Sequence, residues 1–318
     1  MIKKRVSFDV MSIDARPFVK WVGGKGQLLN EIQKIYSAGL GTKWTKYAEP
    51  FVGGGAVLFN VLNKYYLKDV YISDLNYELI ITYRIIRDSV EKLVKRLKQL
   101  QKEFIPLSTE NRKIFYYEKR GQFNILKSNI TQIYSSLDLD LVELASLFIF
   151  LNKTCFNGLY RVNQSGEHNV PMGSYKNPKI CDSDNLFSVS SKLQDVQMVC
   201  GDYQQSRDFI DSETFVYFDP PYRPISETSS FASYTQDGFN DAQQQKLADF
   251  INEINDLDAL IIASNSDPNN INSDDHFFER LYASYCIKHV DATRMINCNS
   301  SARGCIKELL VTNANRFF

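Results

Sequence analysis

Tyr47-Ala48-Glu49-Pro50-Phe51-Val52-Gly53-Gly54-Gly55-Ala56, followed by Val70-Tyr71-Ile72-Ser73-Asp74, decides the fold. Tyr47 to Phe51 reads as a strand that breaks into a glycine turn. Ala56 to Asn63 reads as a helix, Val70 to Ser73 as a second strand, and a helical run starts at Leu75. Strand, helix, strand, helix is the order of a parallel sheet. Glycines at the first turn let the backbone approach a ligand and adopt dihedrals closed to other residues. Asp74 stands at the tip of the second strand, nineteen residues past Gly55. A carboxylate there is placed to accept both ribose hydroxyls of an adenosine. Alone, the same pattern also describes a tight turn with no ligand.

Two phosphate-binding motifs fail nearby. Leu58 occupies the position of the third glycine in a dinucleotide fingerprint. Val22-Gly23-Gly24-Lys25-Gly26-Gln27 lacks the Ser or Thr after Lys that a P-loop requires. S-adenosyl-L-methionine (AdoMet) carries adenosine but no phosphate, so it fits a turn of this kind.

Further along, long charged stretches such as EKLVKRLKQLQKEF and LVELASLFIFLNK favour helix, and a loop rich in Gly, Asn and Pro runs from Asn157 to Pro178. Strand-like runs resume at Val196 to Cys200, Phe215 to Phe218, Ala259 to Ala263 and Cys286 to Val290, and Leu309 to Thr312 closes the series. Asp241 to Asn255 has helical character. These observations predict an α/β, doubly wound, mostly parallel sheet formed by residues 16–85 and 196–318, interrupted by a mainly helical insertion over 86–195.

Composition limits the class. The chain has 318 residues, 44% apolar and 13% aromatic, enough for a substantial core. Lys plus Arg equals Asp plus Glu at 37 each, but the distribution is uneven. Arg84 to Lys127 holds twelve basic and five acidic residues, a balance of +7, while Asp202 to Asp275 holds three basic and fifteen acidic, a balance of −12. A basic stretch can face phosphate or can be a solvated helix face. Six cysteines without a C-x-x-C pair, and only three histidines, point away from a metal site and toward reduced thiols. No apolar run follows the basic residues at the N-terminus, and the most apolar stretch, Leu144 to Leu151, is too short to span a bilayer. The expectation is a cytoplasmic protein with no membrane partner.

Phe215-Val216-Tyr217-Phe218-Asp219-Pro220-Pro221-Tyr222 carries the most chemistry. A strand ends in a carboxylate, two prolines that fix the backbone, and an aromatic ring. An adenine amine needs such a set. Its lone pair is delocalised into the ring, and two acceptors on its N–H bonds draw the nitrogen toward tetrahedral geometry. They also stabilise the positive charge that develops as a methyl group arrives. Asp219 and the Pro220 carbonyl would be those acceptors, and Tyr222 would stack on the base.

Together these motifs resemble the Dam family, the alpha group of DNA adenine-N6 methyltransferases, with the greatest likeness to DpnII-type modification methylases. The resemblance runs from Phe18 to Asn313. It is carried by FVKWVGGKGQL (18–28), EPFVGGG (49–55), SDLN (73–76), FNGLYRVN (156–163), DPPY (219–222), SETSSFASYTQDGF (226–239) and the segment from Ala302 to Asn313. It implies an AdoMet-binding catalytic domain with a target-recognition insertion acting on double-stranded DNA. Trp21 and Lys25 are then AdoMet contacts at the methionine end, Gly53 and Gly55 the cofactor turn, and Asp74 the ribose acceptor. Asp219, Pro220 and Tyr222 become the amine-activating set, with Asp219 also facing the cofactor.

By the same resemblance, Phe156, Asn157, Leu159 and Arg161 belong to a DNA-reading hairpin in which the aromatic wedges into the duplex and the Arg reads a guanine. An Arg can pair with both major-groove acceptors of guanine, and an aromatic can fill the gap left by a flipped base. Without the resemblance, Asn157-Gly158 is an ordinary turn pair. The implied target is GATC, and a cognate restriction endonuclease is a possible partner. Two other classes compete: a methyltransferase of the same fold acting on cytosine N4, RNA or a protein glutamine, and a catalytically silent DNA-binding module. Asp219 argues against the first, and the intact Asp74 and Asp-Pro-Pro-Tyr against the second.

Overall fold

In the computed structural model, residues 13–21, 23–26, 28–129, 138–223, 239–293 and 305–317 are described. Five strands run parallel: Lys46–Pro50 (β1), Asp69–Asp74 (β2), Val196–Cys200 (β3), Thr214–Phe218 (β4) and Leu260–Ser266 (β5). Cys286–Thr293 (β6) and Cys305–Thr312 (β7) form an antiparallel pair, and β7 inserts antiparallel beside β5. The order across the sheet is β3-β2-β1-β4-β5-β7-β6. The chain winds outward in one direction from β1 and in the other from β4. Their carboxyl ends therefore flank a crevice where the crossovers diverge, the usual ligand position in such sheets. The doubly wound, mostly parallel α/β fold is thus present, with all seven sequence-derived strands in it.

Side chains alternate across the sheet with period two. Tyr47, Phe215, Tyr217, Leu260, Ile262 and Leu310 face one core. Ala48, Val216, Phe218, Ile261, Ala263 and Leu309 face the other. The first core is covered by Leu29–Tyr36 (α1), Ala56–Lys64 (α2), Tyr77–Phe104 (α3), Thr109–Ser128 (α4), Asp138–Thr154 (α5) and Ser183–Lys192 (α6). The second is covered by Asp241–Asn255 (α7) and Phe277–Leu281 (α8). Asn76, Ser108 and Asn240 cap α3, α4 and α7, each accepting from the backbone N–H three residues on.

Residue 86, where the expected insertion begins, lies inside α3. The helix kinks just beyond it, at Ser89 (φ −145°, ψ 36°). The Arg87 carbonyl near the kink accepts from Ser190 Oγ and from Gln194 Nε2, so the break leaves that acceptor satisfied. After the kink, Leu93, Leu97, Leu100 and Phe104 are buried, while Lys92, Lys95, Lys98 and Lys102 are exposed. This spacing puts the lysines on the outward face of an amphipathic helix. Leu144 to Leu151 is a buried stretch of α5. Among the described residues, no helix is long and apolar enough to cross a membrane, and no cluster of His, Cys, Asp or Glu could hold a metal ion.

Candidate active site

At the carboxyl end of β1, Gly53 and Gly55 adopt φ of 47° and 75°. A Cβ on Gly53 would lie 2.7 Å from Trp21 Cδ1, and one on Gly55 would lie 2.5 Å from the Tyr83 hydroxyl. Glycine is therefore required twice over, by backbone sign and by space. The Tyr83 hydroxyl donates to the Gly53 carbonyl at 3.0 Å, and Gly53 N–H donates to Asp74 Oδ2 at 3.0 Å. Asp74 Oδ1 accepts from Asn76 N–H at 2.9 Å. The turn and the tip of β2 are thus locked together through one carboxylate. Burial pushes the Asp74 carboxyl up to about 6, against the backbone N–H groups of Asn76, Gly53 and Leu75.

The neighbouring strand ends extend this edge. Gly201 N–H donates to the Asp74 carbonyl at 3.1 Å, which sets Gly201-Asp202-Tyr203 beside Asp74. The Tyr203 ring stacks on Phe51, with centroids 5.4 Å apart. Phe51 itself has φ 86°, a strained value for a residue with a side chain.

Asp219 follows β4 and is the hub of a second cluster. Its Oδ1 lies 2.8 Å from Lys25 Nζ and accepts from Ser264 Oγ at 3.0 Å. Lys25 is buried, donates also to the Gly23 carbonyl at 2.5 Å, and sits 4.5 Å from the Tyr222 ring centroid. The Tyr222 hydroxyl donates to Glu308 Oε2 at 2.5 Å. Burial raises the Asp219 carboxyl above its ordinary range, while Lys25 and Ser264 oppose the rise. Beneath lies Glu49, buried and bonded by the Tyr47 hydroxyl at 2.7 Å. Burial raises its carboxyl well above the usual range.

The proline loop is braced from outside. Gln244 Nε2 donates to the Pro221 carbonyl at 3.3 Å, and Arg223 makes a bidentate pair with Asp241 and a contact at 2.5 Å with Asp275. Such bracing holds Asp219, Pro220 and Tyr222 in one arrangement. The set offers an anionic acceptor, a proline carbonyl and an aromatic face, which suits a flat group bearing two N–H bonds.

Trp21 joins this edge to the helical part of the chain. Its ring lies against the glycine turn and stacks on Tyr160, with centroids 5.7 Å apart and planes 19° apart. The Tyr160 hydroxyl accepts from Lys127 Nζ, whose ammonium pairs with buried Glu78 of α3. Buried Asn152 adds a second tie. Its Oδ1 accepts from Lys20 N–H, and its Nδ2 donates to the carbonyls of Lys20 and Gly158, all at 2.9 Å.

The segment expected to be one hairpin over Phe156 to Asn163 is two structures. Phe156 to Gly158 forms a short 3-10 turn that the left-handed φ at Asn157 (57°) interrupts, and Gly158 also has positive φ (68°). The hairpin proper runs from Arg161 to Asn169, with Val162 bridging His168 and Asn163 Oδ1 accepting from Ser165 and Glu167 N–H. Phe156 is half exposed at 52%, and Asn157 is exposed. Leu159 is partly buried against the core rather than displayed. Arg161 is exposed, its Nε donating to Asn169 Oδ1 at 2.8 Å.

The structure therefore brings Trp21, Gly53, Gly55 and Asp74 to one edge, and Lys25, Asp219, Pro220 and Tyr222 to the adjoining one. Lys25 lies against Asp219 and the Tyr222 ring. Ser264 and Glu308 reach the cluster from β5 and β7, and no local pattern marks either residue. Asp202 did carry a signal, since Gly201-Asp202 after β3 repeats the strand-then-carboxylate arrangement of Ser73-Asp74. Of the 226–239 segment only Phe239 lies within the described residues, and 302–304 lie outside them.

Residues 21–296 match the profile of the D12 class N6 adenine-specific DNA methyltransferases. The chain is 47% identical over 303 residues to the Type II methyltransferase M.MjaIII of Methanocaldococcus jannaschii, covering 95% of this chain and 100% of that one. It is 36% identical to the Type II methyltransferase M1.LlaDCHI of Lactococcus lactis subsp. cremoris, over 95% of this chain and 96% of that one. It is 32% identical to the DNA adenine methylase of Haemophilus influenzae, over 93% and 92% respectively.

Proposed function

The chain belongs to the D12 class of N6 adenine-specific DNA methyltransferases, and from that premise we propose that it uses AdoMet to methylate the adenine of 5′-GATC-3′ after the base swings out of duplex DNA. Residues 16–85 and 196–318 carry the catalysis, and residues 86–195 read the target. The enzyme works in the cytoplasm, and a cognate restriction endonuclease acts on the same site. The Type II names of two relatives support that last pairing.

AdoMet, when bound, supplies an electrophilic methyl group on a sulfonium. The residues present fit it. The glycine turn has no room for side chains, and the Asp74 oxygens, which accept from Gly53 and Asn76 N–H, have further lone pairs for ribose hydroxyls. Asp202, one strand further out, offers an acceptor toward an adenine ring. Lys25 offers a cation to the methionine carboxylate, and Trp21 lines the same turn.

The reading of the reaction rests on one observation: Asp219, at the end of β4, is held beside Tyr222 by Lys25. Asp219 accepts one N–H of the adenine amine and the Pro220 carbonyl accepts the other. The amine nitrogen then pyramidalises, and its lone pair becomes available. Tyr222 stacks on the base and aligns it. As the N–C bond forms, the S–CH3 bond of the sulfonium would break and leave a neutral thioether; the positive charge passes to the amine nitrogen, where the Asp219 carboxylate stabilises it until an N–H proton is released to solvent. At the DNA end, Phe156 fills the space left by the base, Asn157 and Leu159 shape the turn, and Arg161 pairs with guanine.

Asp219→Asn tests the reading. Transfer of tritium from labelled AdoMet to unmethylated duplex falls by about 10²–10³-fold, worth roughly 3–4 kcal/mol, while AdoMet still binds. Activity within threefold of wild type contradicts it.

A further inference from the structure

We propose that Ser264, oriented by Tyr217, is a positioning residue for methyl transfer, fixing the Asp219 carboxylate so that its second oxygen receives the adenine amine. This rests on the reading of Asp219 as the amine acceptor.

The register explains the contact. Phe218 pairs with Ala263 in the parallel β4–β5 ladder, so the next residues, Asp219 and Ser264, are neighbours across the strands. Ser264 interrupts the apolar run Leu260-Ile261-Ile262-Ala263 and is only 1% exposed. A buried hydroxyl in a strand is unfavourable unless it is bonded, and an alanine would pack there without that cost.

The hydrogens can be followed. Tyr217 is fully buried, and its hydroxyl lies 3.0 Å from Ser264 Oγ. With the phenol donating to Ser264 Oγ, the serine hydrogen is left to choose between Asp219 Oδ1 at 3.0 Å and the Phe218 carbonyl at 3.4 Å. The carboxylate is nearer and charged, so it is the stronger acceptor. Asp219 Oδ1 then receives both Lys25 and Ser264. Two donors on one oxygen fix the plane of the carboxylate and leave Oδ2 for substrate.

The same chain sets the charge of Asp219. Lys25 from the N-terminal segment faces it, as do Glu49 of β1, Asp74 of β2, Tyr217 of β4 and Tyr222. Glu308 of β7 lies behind Tyr222. Burial favours the protonated acid. Two donors, Lys25 and Ser264, favour the anion. Loss of the Ser264 hydroxyl therefore moves Asp219 ionisation to higher pH.

The experiment uses the whole 318-residue chain with a duplex containing one target adenine. Ser264→Ala lowers kcat about 10–100-fold, the range expected when a supporting hydrogen bond is lost. KM for DNA and the affinity for AdoMet stay within twofold, and the acid limb of kcat against pH moves upward. Ser264→Thr, which retains a hydroxyl, recovers most of the rate. Tyr217→Phe moves the same limb in the same direction by less. A Ser264→Ala protein with wild-type AdoMet affinity, kcat within threefold and an unmoved acid limb overturns the proposal. If Ser264→Ala does not fold, an unmoved limb in Tyr217→Phe overturns it. Asp219→Asn, measured alongside, separates the two readings. Retained activity there removes the acceptor role itself, whereas loss there with an unaffected Ser264→Ala removes only the role of Ser264.

Discussion

Lys25 Nζ lies 2.8 Å from Asp219 Oδ1, joining two segments 194 residues apart in sequence inside the candidate active site. Lys25 is 4% exposed and the Asp219 side chain 22%, so water screens the pair poorly. Removing one partner leaves the other charge uncompensated. Lys25→Met is expected to reduce stability by about 3 kcal/mol at neutral pH. In that variant the folded-state ionisation of Asp219 lies still further above its unfolded value. Its contribution is favourable below the unfolded value and is lost as pH rises through the folded one. The deficit of Lys25→Met should therefore shrink as the medium is acidified toward pH 4. Urea unfolding of both proteins at pH 5 and pH 8 checks this, and an equal deficit at both values contradicts it.

Asp74 gives a pH dependence of a different kind. Burial raises its carboxyl to about 6, so it gains a proton just below neutrality. If the anion accepts the ribose hydroxyls, AdoMet affinity declines as pH falls through that value, by about tenfold between pH 7.5 and pH 5. Asp74→Asn should bind AdoMet weakly and with a flat profile. For the free protein the sign is opposite, since protonating a buried carboxylate of raised pKa stabilises the fold. Calorimetric titration over this range decides, and a wild-type affinity independent of pH removes Asp74 from the cofactor site.

Arg161 stands at the base of an exposed hairpin, steadied by Asn169. If it pairs bidentately with guanine, Arg161→Ala costs about 1–3 kcal/mol on the cognate duplex and relaxes preference at that one base pair. Binding measured on duplexes changed one position at a time is the check. A uniform loss on every sequence marks a phosphate contact instead.

The sheet and two of the carboxylates were legible because their signals are local. Asp74 and Asp219 each end an apolar run, and the glycine turn sits between a strand and a helix. Seven strand-like runs were visible, but the placement of β7 between β5 and β6 was not, because antiparallel insertion depends on pairings between distant strands. Ser264 and Glu308 were hidden for the same reason. Each sits in an unremarkable strand and acquires its contact only through register. The split of the Phe156 to Asn163 segment was hidden because an Asn-Gly pair marks a tight turn without fixing which flanking residues pair, and here the bridge forms further on, between Val162 and His168. The basic stretch was ambiguous by charge alone. On α3 its lysines at 92, 95, 98 and 102 oppose the buried leucines, so amphipathicity accounts for their spacing whether or not phosphate lies over them.

Methylation of GATC in vivo tests the central claim most directly. Plasmid is prepared from a strain that lacks its own adenine methylation and expresses this protein, with Asp219→Asn as the control. The wild-type plasmid should become cleavable by an endonuclease that requires methylated GATC and resistant to one that requires the unmethylated site. The Asp219→Asn plasmid should behave as unmethylated DNA. Wild-type plasmid that contains N6-methyladenine yet digests like untreated DNA contradicts the GATC assignment, and wild-type plasmid without N6-methyladenine contradicts the account as a whole.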